Sequence, residues 1–230
     1  MKALARIVAE ADARGGTRLR ELYGEAPLLP RRTGPAEVHL VGGAAGPLGG
    51  DELTIEVHIG PGAALTVRTV AASVALPGTG PSLARVHATV SAGGRLDWRP
   101  EPIVAAHRCD HRAESRIELA EGAELSWREE LVCGRHGEAC GDLTLSTSVR
   151  RAGRPLFRQD LAVGPRASGW SGPAGLGGAR TAGTLILVGR DWIGPSTMDG
   201  LAAMPLAGGG IVVTAVAERA HELRRMLSPA

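Results

Sequence analysis

Aromatic side chains are nearly absent: one Phe, one Tyr and four Trp serve all 230 residues. So few flat rings leave little for bases to stack on, which argues against a single-strand nucleic-acid binder. Lysine is scarcer still, with Lys2 alone beside 25 Arg, and 24 acidic residues bring the formal net charge to +2. A field that weak supplies no basic stripe for a phosphate backbone. Cysteine occurs three times, an odd number that cannot close a disulfide framework, and charges interrupt the apolar stretch after Met1 that a secretion signal needs. No run approaches the ~20 uncharged apolar residues of a membrane span. The longest, 184–188 and 211–217, are strand-sized. The expectation is a soluble cytoplasmic protein with reduced thiols and neither nucleic acid nor membrane as a partner.

Also missing are a G-x-S-x-G elbow, a phosphate loop, a dinucleotide fingerprint and H-E-x-x-H, so the usual nucleophile, nucleotide and zincin chemistries have no local support. Gly208-Gly209-Gly210 precedes a strand pattern, not a helix, and so offers no helix N-terminal amides to phosphate.

What the chain has in plenty is glycine and proline, 33 and 15 residues, with no Gly-X-Y period. Collagen is excluded and a turn-rich architecture favoured over a helix bundle. With 43% apolar and 22% charged residues, the chain is long and hydrophobic enough to enclose a core.

Alternation of period two marks strands at Leu53–Ile59 and Ala64–Val70, on either side of Gly60-Pro61-Gly62. The unit recurs. Gly62-Ala63-Ala64-Leu65-Thr66-Val67-Arg68 is echoed by Gly93-Gly94-Arg95-Leu96-Asp97-Trp98-Arg99 and Gly122-Ala123-Glu124-Leu125-Ser126-Trp127-Arg128, and more weakly from Gly153. Each copy follows a further alternating segment, so a repeat reads strand, glycine turn, strand. A hairpin cannot hide its apolar face alone, whereas units stacked at this spacing bury a continuous core. The expected fold is all-β, stacked hairpins forming a helix-like β array or twisted double sheet, in one domain spanning 1–230.

Within that domain the hairpin array covers 37–163, and residues 1–36 are less legible, with possible strands at Arg18–Tyr23 and an edge segment at Leu28–Arg32. Residues 164–183, rich in Gly and Pro, read as an exposed connection. Residues 184–230 contain two unbroken apolar runs, the look of strands covered on both faces. A short amphipathic helix follows, with Val216, Ala220, Leu223 and Leu227 on one face.

Two clusters suit metal chemistry. In His107-Arg108-Cys109-Asp110-His111 an extended backbone puts 107, 109 and 111 on one face, where two imidazoles and a thiolate suit nickel or zinc; the alternative is a polar loop with a half-buried thiol. Cys133, His136 and Cys140 fit no standard zinc spacing, and Gly134 and Gly137 mark a turn with Arg135 and Glu138 at its tip. Asp51 either turns the chain or faces a polar cavity. Glu129 and Glu130 lie on opposite faces of one strand, so one points inward and needs a partner such as Arg99, Arg128 or Arg135.

Taken in order, Gly49-Gly50-Asp51-Glu52-Leu53, Arg68-Thr69-Val70-Ala71-Ala72, Leu96 to Ile103, Trp127 to Arg135 and Arg151 to Leu156 resemble the motifs of the urease accessory protein D family (UreD, also called UreH). The likeness spans roughly residues 40–165. It implies a non-enzymatic chaperone, a helix-like stack of strands that docks on apo-urease with the accessory proteins F and G. Its implied task is to deliver nickel through an internal polar passage, with no tightly bound cofactor. Asp51 falls on the family's Gly-Asp motif, Thr69 on its Thr-x-Ala segment and Glu129 on the Glu before the Gly-Arg pair. With Cys109 and His111 from the first cluster, these are the expected contacts for transient Ni2+. The segment after Thr69 departs from the family in lacking the usual Lys and aromatic residue. A second copy of the chain is a further possible partner. Two other functions fit the residues: a metal-dependent β-fold hydrolase using His107, Cys109 and His111, or a metal-free β-solenoid binding module.

Overall fold

A computed structural model describes residues 1–228. In chain order the strands are β1 (Lys2–Ala11), β2 (Thr17–Gly24), β3 (Leu28–Gly34), β4 (Glu37–Gly42), β5 (Glu52–Ile59), β6 (Ala64–Thr69), β7 (Ser73–Ala75), β8 (Ser82–Val90) and β9 (Arg95–Arg99). They continue as β10 (Ile103–Ala105), β11 (Asp110–Leu119), β12 (Glu124–Cys133), β13 (Asp142–Arg151), β14 (Arg154–Val163), β15 (Thr181–Val188), β16 (Thr197–Met198), β17 (Leu201–Pro205) and β18 (Ile211–Ala217). The helix α1 (Ala220–Met226) comes last. All-β architecture with a short C-terminal helix therefore holds. The helix starts later than its pattern suggests, because Val216 is still paired with Ala182 in β18.

Two sheets face each other. One runs β14-β13-β11-β8-β5-β1-β2; the other runs β16-β17-β18-β15-β12-β9-β6-β4-β3, with the short strand β10 beside β12 and β7 beside β10. The repeat is real, but its two strands are not hairpin partners. Each repeat crosses between sheets: β5 pairs in parallel with β8 and β8 with β11, while β6 pairs in parallel with β9 and β9 with β12. A period of about 30 residues gives every strand a parallel neighbour one coil further on, so backbone groups are satisfied between coils and the inner faces meet in a common core.

The crossings sit on the repeated glycines. Gly62, Gly93 and Gly122 adopt φ of +69°, +67° and +74°, the left-handed region open to glycine, and the Gly93 amide donates to Gly122 O at 3.2 Å. The weak fourth copy differs: Ala152 and Gly153, both at positive φ, close a true hairpin between β13 and β14.

Between the sheets lie two buried clusters. One gathers Ile7, Val57, Leu65, Leu96, Ile117, Leu125 and the stacked pair Trp98–Trp127, whose ring centroids are 4.8 Å apart. The second gathers Ala105, Cys109, Leu131, Cys133, Cys140 and Leu143. The segment 164–180 is irregular, yet Leu176 is buried and Trp170 packs beside it on this second cluster. β15 is buried along its whole length, and α1 lies against its outer side through Leu223 and Leu227. No described helix is long and apolar enough to cross a membrane.

Candidate functional site

β12 sets the geometry. Its first half pairs with β9 over Glu124–Trp127 and its second half with β10 over Leu131–Cys133, so residues 128–130 face the break between those two strands. Pro100 and Pro102 fall in that break, where neither supplies an amide to a ladder. A similar break separates β6 from β7. Thr69 bridges the seam: its hydroxyl accepts from the Glu101 amide at 2.8 Å and donates to Ala71 O at 3.0 Å.

Behind this window is a cavity of about 120 Å³ between the sheets. Its lining is mostly apolar, with Leu53, Ile55, Trp98 and Leu145 among the walls, and Thr69, Glu101, His111, Ser115, Glu129 and Glu130 add polar groups. Three of the residues expected to meet the ion, Thr69, His111 and Glu129, are thus brought to one place.

Glu129 spans the interior. One carboxylate oxygen accepts from the Ser115 hydroxyl at 2.5 Å and the other from the Thr147 hydroxyl, tying β12 to β11 and β13 of the opposite sheet. Glu130 points to the other side and is fully buried: Arg128 Nε lies 2.8 Å from it and Arg224 Nη2 3.3 Å. Arg224, on α1, also grips both oxygens of Glu101 at 2.9 and 2.8 Å. Of the three arginines the sequence offers Glu130, Arg128 is its partner. Arg135 instead pairs with Glu138 at the tip of the 134–137 turn and holds that carboxyl well below its usual range, at about 2.

His111 is 2% exposed. Its Nδ1 is 2.8 Å from the Ser82 hydroxyl, and its Nε2 is buried without a partner. Burial lowers its pKa to about 4, against a smaller opposing pull from Asp110, so the ring is neutral at ordinary pH.

Two expected positions lie elsewhere. Asp51 is 4% exposed and holds the chain start: its carboxylate pairs with the Met1 amino group at 2.7 Å and accepts from the Leu48 amide at 2.9 Å. The amino group draws its pKa down despite burial. Cys109 sits in the second apolar cluster, its thiol 3.6 Å from Asp142 O, with its pKa pushed up to about 11 by burial.

The face expected for 107, 109 and 111 does not form. The chain turns at Arg108, whose φ is +63°, leaving His107 exposed while Cys109 and His111 point inward. Cys133 and Cys140 are buried and share a hydrogen bond that lowers the first thiol's pKa and raises the second's, while His136 is exposed. No group of three or more His, Cys, Asp or Glu among the described residues has a metal-holding arrangement.

Glu101 and Arg224 escaped the sequence reading. Glu101 stands between two prolines, the one local signal of a broken strand, but Arg224 lies 123 residues away and nothing in its own pattern points to the window.

Parallel coils around a small, mostly apolar cavity with a few polar groups, and a windowed wall closed by ion pairs, define a β-solenoid-like scaffold. The chain belongs to the UreD urease accessory protein family, whose description matches residues 2–230. It is 45% identical over 249 residues to "Urease accessory protein UreD 3" of Streptomyces griseus subsp. griseus, covering all of this chain and 95% of that protein. It is 45% identical to "Urease accessory protein UreD" of Streptomyces avermitilis over 242 residues, covering 100% and 96%, and 43% identical to the Parafrankia protein of that name over 259 residues, covering 99% and 86%. The family assigns a role in urease maturation.

Proposed function

We propose that the chain is a non-enzymatic scaffold that docks on apo-urease together with the accessory proteins F and G and lets nickel move through the cavity toward the urease active site. The observation that carries this reading is the cavity itself, where hydroxyl, carboxylate and neutral imidazole groups from both sheets meet behind a break in one sheet. Such donors suit a borderline ion. A cargo ion must leave as easily as it enters, and single contacts from separate strands favour transfer over a closed four-ligand cage. Thr69 holds the Glu101 backbone at the entrance, His111 presents a neutral ring with an unpartnered Nε2, and Glu129 reaches from β12 toward the opposite sheet.

Co-expression of urease with its accessory proteins, with and without this chain, tests the reading. Urease activity and bound nickel should fall when the chain is omitted and be restored by the wild-type chain. Unchanged nickel-dependent activation in its absence would refute it. The same extracts test docking, since urease subunits should co-purify with the tagged chain.

A further inference from the structure

The window in the sheet is shut by a charge from the end of the chain. Glu101 and Glu130 both line the cavity, and both are bound by Arg224 of α1, with Arg128 as the second cation at Glu130. Two carboxylates face two guanidinium groups, so the closed window has no net attraction for a cation. Taking Arg224 away leaves two carboxylates against Arg128 alone, beside a cavity that already contains Glu129 and the free Nε2 of His111.

The element that carries Arg224 is weakly built. α1 has seven residues, and Arg219 at its N-cap supplies no side-chain hydrogen bond. Isolated helices below ~12 residues are marginal in water, so α1 persists only while Leu223 and Leu227 stay packed on β15 and its neighbours. Arg224 itself is incompletely satisfied, because its Nε is buried without a partner. A buried donor left unmade lowers the cost of pulling the side chain out.

We propose that Arg224 is a displaceable stopper: drawing α1 off the sheet converts Glu101 and Glu130 into a landing site for a divalent cation at the mouth of the cavity. This regulates the passage and rests on the function proposed above. The guanidinium stands where the cation would arrive, so ion entry and helix docking exclude one another. A partner that takes up Leu223 and Leu227 thereby opens the window.

The test is Ni2+ binding to the full, untagged chain at pH 7 by isothermal titration calorimetry, with circular dichroism to verify folding. Arg224→Met should gain one Ni2+ equivalent bound at least about tenfold more tightly than in the wild type, since one positive charge has left the site. Adding Glu101→Gln to that variant should abolish the gain. Arg224→Lys is the milder second variant: one ammonium cannot grip both oxygens of Glu101, and affinity should rise by a smaller factor. A folded Met or Lys variant with the wild-type isotherm, or a gain that survives Glu101→Gln, would overturn the stopper. Either result would leave the urease-activation assay untouched, because a passage can exist without this gate.

Discussion

Between pH 6.5 and 4 the His111 ring makes the fold sensitive to acid. In the unfolded chain an imidazole takes a proton near pH 6.5, whereas burial holds the folded ring neutral to about 4. Across that interval only the unfolded state binds the proton, so its contribution to stability is complete above pH 6.5 and is lost as pH falls toward 4. The loss is about 1.4 kcal/mol per pH unit at most. His111→Gln should weaken this decline; urea midpoints at pH 7 and pH 5 measure it, and an equal decline in both proteins would contradict the assignment. Asp51 acts in a lower window, because its depressed pKa contributes stability above the ordinary carboxylate range and loses it in stronger acid. Asp51→Asn, which gives up the charged bond to Met1, should cost about 1–3 kcal/mol in thermal or urea unfolding. Urease activation by this variant should fall only as far as the folded fraction falls; a larger fall would return Asp51 to the ion's route.

At the scale of elements, the closest constraint on the helix is Gly183. A Cβ there would lie 2.6 Å from Leu227 Cδ1 and 3.0 Å from Glu129 O, so the absence of a side chain lets α1 sit close to β15. Gly183→Ala should lift the helix, destabilise the protein by about 1–3 kcal/mol and speed hydrogen exchange in α1 relative to β15. Unchanged exchange would show that the helix tolerates the methyl group. How much of each element was legible follows from its side chains. β5, β6 and β15 announce themselves through alternating or unbroken Val, Leu, Ile and Thr. β1 does not, because three of its four fully or nearly buried inner positions, Ala3, Ala5 and Ala9, are alanines with little strand preference; only Ile7 has bulk. The glycine turns were visible as punctuation. Their role in moving the chain between sheets was not, since local alternation is the same for a hairpin strand and for one paired with the next coil.

For the whole molecule, the spacing of Gly62, Gly93 and Gly122, roughly 30 residues, is the feature that sequence and structure share most closely. It sets the parallel coils, and the coils set the cavity. Thr69, His111 and Glu129 were individually visible, but their meeting is a product of two sheets facing each other: β6 and β12 belong to one and β11 to the other. Arg224 was invisible for the same reason, as a partner delivered by tertiary packing from the far end of the chain.

The most direct measurement of the central claim fills the cavity without touching its charges. Ala113 lines it from β11, and Ala113→Phe puts a ring into a space of about 120 Å³. Over-packing of this kind costs about 1–3 kcal/mol, so folding of the variant is verified first. Nickel per urease active site is then measured in enzyme matured in cells that carry either form. The account predicts urease that still co-purifies with the folded variant but contains little nickel. Full nickel content with folded Ala113→Phe would contradict an ion route through this cavity.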